Sequence, residues 1–122
     1  MTKFNRNFKI LIVDDEKVIC DFLSRFLRRE GHSADIATNG TQALEMIQHK
    51  NYDLIFCDVK MPNMNGEEMI GVISKCSPIP KVFVISGLPM LAEYLEEKKF
   101  SKFVAGSLNK PFSPECLLEK LR

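Results

Sequence analysis

Four apolar runs in this 122-residue chain end in residues able to do chemistry. Lys9-Ile10-Leu11-Ile12-Val13 runs into Asp14-Asp15, and Leu54-Ile55-Phe56-Cys57 runs into Asp58. Val82-Phe83-Val84-Ile85 leads to Ser86-Gly87, and Val104-Ala105-Gly106-Ser107-Leu108 leads to Asn109-Lys110-Pro111. If these runs are strands of one parallel sheet, three carboxylates, a hydroxyl and an ammonium converge on one edge. Open α/β sheets place their ligands there, outside the carboxyl ends of the strands. Clustered carboxylates repel one another, and a divalent cation relieves that repulsion. An all-oxygen donor set with room for water favours Mg²⁺ over zinc. With its neighbours neutralised, Asp58 can act as a nucleophile toward phosphorus and form an acyl phosphate. Lys110 and Ser86 are placed to supply the cationic side chain and the hydroxyl that stabilise such a transfer. A plainer reading has Asp14 and Asp15 merely capping the next helix. Capping explains one aspartate there, but not the coincidence with Asp58.

The segments between the runs must position these groups. Val18, Ile19, Phe22, Leu23, Phe26 and Leu27 recur at helical spacing, with Lys17, Asp21, Arg25, Arg28 and Arg29 opposite and Gly31 as the stop. The arginines are expected to be a solvated helix end that suits the helix dipole. Residues 33–38 suggest a short edge strand protected by Asp35. After the Asn39-Gly40 turn, a helix from about Thr41 to His49 buries Ala43, Leu44 and Ile47. A third helix starts near Asn65, with Glu68 at the capping-box position and Met69, Ile70 and Ile73 as its buried stripe. Residues 89–98 form the weakest helix, and strand five spans about Phe103 to Leu108. Ser113-Pro114-Glu115 opens a final helix carrying Cys116, Leu117, Leu118 and Leu121. Short strands alternating with helices predict a doubly wound five-stranded parallel sheet, order 2-1-3-4-5, in a flavodoxin-like three-layer sandwich. Its switch point lies between strands one and three, where Asp14, Asp15 and Asp58 end.

Composition sets the remaining bounds. The chain is one domain's length, expected as a polar tail over residues 1–7 and a single domain over 8–122. Seventeen basic residues against 16 acidic ones give no global pull toward nucleic acid or membrane. No apolar stretch is long enough to span a bilayer and no signal peptide is evident, so cytoplasm is the expected compartment. Cys20, Cys57, Cys76 and Cys116 lack metal or redox spacing and are expected as buried thiols. His32 and His49 are expected to be solvent-exposed.

The ordered set resembles the receiver domain of two-component response regulators. It comprises Asp14-Asp15 after strand one, Asp58 with Met61-Pro62 and Gly66, Ser86 after strand four, and Lys110-Pro111 after strand five. The similarity runs from about Phe8 to Leu121. It implies that Asp58 accepts a phosphoryl group from a sensor histidine kinase or a histidine phosphotransfer protein, and then changes the binding of an output protein or domain. It also implies that Asp15, Asp58 and the Lys60 carbonyl bind Mg²⁺, that Asp14 acts mainly through water, and that Ser86 and Lys110 contact the phosphate. Such a domain promotes its own phosphorylation and dephosphorylation without being a turnover enzyme. One departure stands out: Ser107 takes the position where receivers carry the Tyr or Phe that reports phosphorylation. That leaves open an interaction module working without phosphate, and shifts the expected readout to the Ser86 loop and residues 89–98. An Asp-nucleophile phosphatase would want a second acid two residues after the nucleophile, where Lys60 stands.

Overall fold

The structure, a computed structural model, describes residues 7–58, 66–76, 79–86, 105–110 and 113–121. Five parallel strands, β1 (Lys9–Val13), β2 (Ser33–Ala37), β3 (Leu54–Asp58), β4 (Lys81–Ser86) and β5 (Gly106–Asn109), form one sheet in the order β2-β1-β3-β4-β5. The expected sheet and strand order are present. The described helices are α1 (Lys17–Arg29), α2 (Gly40–His49), α3 (Gly66–Ser74) and α4 (Pro114–Leu121). The helix expected over 89–98 lies outside the described residues, as do Asn65, Phe103 and Val104. Glu68, inside α3, has its side chain outside them too.

Continuous apolar strands need cover on both faces, and side chains alternate between those faces with period two. Ile10, Ile12, Leu54, Phe56, Phe83 and Ile85 pack with Cys20, Leu23 and Leu27 of α1 and Leu117 of α4. Their neighbours Leu11, Val13, Ile55, Cys57 and Val82 pack on the opposite face with Ala43 and Ile47 of α2 and Met69 and Ile73 of α3. Phe56 and Phe83 sit side by side across β3 and β4 with ring centroids 5.6 Å apart.

The helix ends are chemically defined. Gly31 takes φ 97°, a conformation open to a residue without Cβ. The Gly31 N–H then donates to the Arg28 carbonyl (3.1 Å) and the His32 N–H to the Leu27 carbonyl (3.0 Å), which closes α1 in a Schellman motif. Asn39 Oδ1 accepts from the Gln42 N–H (2.8 Å) at the start of α2, while Gln42 Oε1 accepts from the Thr38 N–H (2.8 Å).

Several expectations are corrected. α1 buries Cys20, Leu23, Ser24 and Leu27, while Val18 is 78% and Phe22 37% exposed. Leu23 and Leu27 are buried as expected, and Ile19 and Phe26 pack half-buried against the core, so the stripe takes in small Cys20 and Ser24 and leaves out Val18 and Phe22. Arg28 is not merely solvated, since its guanidinium donates to the Ala34 carbonyl at 2.7 Å. His32 is buried at 4% exposure, stacked on Phe8 at 5.1 Å between centroids, with Nδ1 accepting the Phe8 N–H at 3.0 Å. Among the thiols, Cys20 and Cys57 are buried as expected, but Cys76 is half-buried and Cys116 exposed.

Candidate functional site

The register of the sheet assembles the site. Ile12 pairs with Phe56 and Val13 with Cys57, so the next residue on the first strand, Asp14, comes level with Asp58. Asp58 in turn pairs with Ile85, Ile85 with Leu108 and Ser86 with Asn109, which leaves Lys110 just beyond the same edge. Parallel strands in near-level register therefore bring residues 44 and 52 positions apart in sequence into one pocket.

Lys110 Nζ lies 2.9 Å from Asp14 Oδ2 and 3.1 Å from Asp58 Oδ2. It also lies 3.2 Å from Glu16 Oε2, so the three hydrogens of one ammonium face three carboxylates. Asp14 is fully buried and the Asp58 side chain 7% exposed, whereas the Glu16 side chain is 58% exposed. The Asp14 Oδ2 contact is an ion pair by distance without good hydrogen-bond direction. Its other oxygen, Oδ1, accepts the Glu16 N–H at 2.9 Å. The Asp14 backbone is tied down as well: its N–H donates to the Ala37 carbonyl at 3.0 Å, and its carbonyl accepts the Cys20 thiol at 3.1 Å.

The electrostatics follow from this packing. Burial pushes the Asp14 carboxyl up, opposed by the Glu16 amide and the Lys110 ammonium. Burial alone would lower Lys110, but its ion pairs with Asp14 and Asp58 outweigh that and hold it above its ordinary value. Cys57, beside Asp58 in sequence, is pushed up to about 12 by burial and then by the Asp58 charge, so it is an inert thiol. Its Sγ lies 3.7 Å from Met69 Sδ in the core.

Ligand oxygens of Asp14, Asp15 and Asp58 all lie within 4.8 Å of one another, with Asp15 exposed at the rim. The set is all oxygen, which suits a hard divalent cation. The structure thus brings together Asp14, Asp15, Asp58 and Lys110. Ser86 ends β4 on the same edge, with its side chain outside the described atoms, and Lys60 lies outside the described residues. The helix-cap reading of the acid pair is partly right: Asp14 does bind the Glu16 N–H, but its second oxygen faces Lys110. Sequence reasoning missed Glu16. An acid at the start of a helix is usually a dipole partner, and only its contact with Lys110 marks it out.

The open, doubly wound parallel sheet thus carries an acid cluster at its switch point with a lysine across from it, at the edge where such α/β sheets place their ligands. Residues 10–122 match the model of the response regulator receiver domain. A transcriptional regulatory protein of Bacillus subtilis, YesN, is 34% identical over 117 residues, covering 93% of this chain and 31% of its own length. The chain therefore spans about a third of that relative. A CheY-like receiver domain from Methanospirillum hungatei superimposes with TM-score 0.81 at 29% identity, covering 95% of this chain and 91% of that one. TrrA from Thermotoga maritima, a response regulator solved in complex with Mg²⁺-BeF, gives TM-score 0.77 at 32% identity over 93% and 95% of the two chains. This chain belongs to the response regulator receiver domain family.

Proposed function

We propose that the chain is a phospho-accepting receiver, with Asp58 taking a phosphoryl group from a phosphohistidine on a sensor kinase or phosphotransfer protein. The observation that carries this is Asp58 itself, closing β3 at the switch point 3.1 Å from Lys110. An Asp58 oxygen attacks phosphorus, the P–N bond to the donor imidazole breaks, and the imidazole nitrogen keeps the bonding pair and takes a proton. Asp14, Asp15 and Asp58 would hold Mg²⁺, with the Lys60 carbonyl as a further ligand. Bound there, the cation neutralises the carboxylates and the charge on the transferring oxygens. Lys110 exchanges a carboxylate partner for a phosphoryl oxygen, and the Ser86 hydroxyl meets another. Asp58 keeps only a small exposed fraction through which a donor would reach it, while buried Asp14 is held by the Glu16 and Ala37 backbones.

The resulting change in partner binding would reach an output protein or an output domain of a longer chain. Turnover of a small-molecule substrate is not part of this reading. Cytoplasm is the compartment it requires, since the phosphodonor kinases act there; among the described residues no helix is long and apolar enough to cross a membrane. Incubation with Mg²⁺ and a small phosphodonor, followed by intact-mass measurement, tests it. The expected product is one phosphoryl adduct that Asp58→Asn abolishes. No adduct would favour the second reading, a receiver-fold interaction module without phosphate. The observation behind that alternative is Ser107, a small residue in β5 beside Val84, where an aromatic reporter would stand.

A further inference from the structure

We infer that Glu16 is a positioning residue that draws Lys110 aside when a divalent cation enters the pocket. The inference rests on the reading of Asp14, Asp15 and Asp58 as the cation site. Lys110 Nζ stands 2.9 Å from Asp14 and 3.1 Å from Asp58, so it neutralises two of the oxygen donors a cation would use. A Mg²⁺ ion held at about 2.1 Å from its carboxylate ligands repels an ammonium left beside the same oxygens. Lys110 must then give up its contacts with Asp14 and Asp58.

Glu16 is the third carboxylate on that ammonium, at 3.2 Å, and it stands outside the three-aspartate group. Its side chain is 58% exposed, at the rim, and can follow Lys110 outward while keeping the ion pair. The Glu16 backbone is fixed independently: its N–H bonds Asp14 Oδ1 at 2.9 Å and its carbonyl accepts the Cys20 N–H at 3.1 Å. One residue therefore holds the buried acid through its main chain and the ammonium through its side chain. Glu16 lowers the cost of displacing Lys110, and keeps the ammonium within reach of an incoming phosphoryl oxygen.

The test is Mg²⁺ titration of the full chain, followed by amide chemical shifts at Asp15 and Asp58, for four proteins: wild type, Glu16→Gln, Lys110→Met and the double variant. Glu16→Gln keeps the backbone bonds and is expected to raise the Mg²⁺ dissociation constant about threefold, the scale of a partly exposed ion pair. Lys110→Met is expected to tighten Mg²⁺ binding by removing the competing cation. In the Lys110→Met background, Glu16→Gln should then change nothing, because Glu16 acts through Lys110. Side-chain resonances of Lys110 should shift on adding Mg²⁺ in wild type, and shift differently in Glu16→Gln, with Glu16→Asp intermediate. An equal weakening by Glu16→Gln in both backgrounds would show a general charge effect and overturn the inference. No effect in either background overturns it as well. Absence of Mg²⁺-dependent shifts in wild type would instead defeat the cation-site reading on which it stands.

Discussion

Asp15 is the exposed member of the acid cluster, so a part in holding a cation would be separable from any part in the core. If the cluster binds it, Mg²⁺ at about tenfold over its dissociation constant is expected to stabilise the folded chain by about 1.4 kcal/mol, or about 5 °C in Tm for a domain of this size. Asp15→Asn is expected to remove most of that gain while changing metal-free stability by less than about 0.5 kcal/mol. Thermal melts with and without Mg²⁺ decide it; an unchanged Mg²⁺ effect would mean that Asp15 is not a ligand. His32 gives a pH prediction of a different kind. Burial lowers its pKa against the opposing pull of Glu30, and its Nδ1 must stay unprotonated to accept the Phe8 N–H. The unfolded chain takes up that proton more readily, so the stabilisation is complete above the unfolded value near 6.5 and is lost as pH falls below it. Urea unfolding between pH 7.5 and 5 should show a steeper loss in wild type than in His32→Gln, by at most about 1.4 kcal/mol per pH unit. Parallel pH curves for the two proteins would remove His32 from the account.

At the scale of the element, α1 shows what sequence could and could not disclose. Its existence and its stop were legible, because apolar spacing and Gly31 leave little choice. Its face was legible only in part: Leu23, Leu27, Ile19 and Phe26 meet the core as their spacing implies, but Cys20 and Ser24 are buried where Val18 and Phe22 were expected. Leu23→Ala is accordingly expected to cost about 2–5 kcal/mol, and Val18→Ala less than about 0.5 kcal/mol. Similar losses for the two in denaturant titrations would contradict the observed face. The same logic separates the site residues. Asp14, Asp58 and Lys110 were visible because each ends an apolar run, and the register of parallel strands then aligns run ends. Glu16 and His32 were hidden because their roles depend on contacts made across the fold, to Lys110 and to Phe8.

Across the whole molecule, the pocket has no local source: β1 and β3 bring the acids and the turn after β5 brings the ammonium. Those contributors differ in how firmly they are held. β3 lies between β1 and β4, whereas β5 is the last strand in the order and pairs with β4 alone within the sheet. Marginal strands open more readily than central ones. Fraying of β5 would carry Lys110 away from Asp58 while leaving the acid cluster of β1 and β3 in place. A phosphoryl mimic such as beryllofluoride with Mg²⁺, by binding Lys110 and Asp58 together, should therefore slow amide exchange in Gly106–Asn109 far more than in Leu54–Asp58. Equal slowing in both strands would argue that the ammonium is not part of the bound complex. An edge strand of the sheet would then act as a latch, closed by the same event that the centre of the sheet prepares.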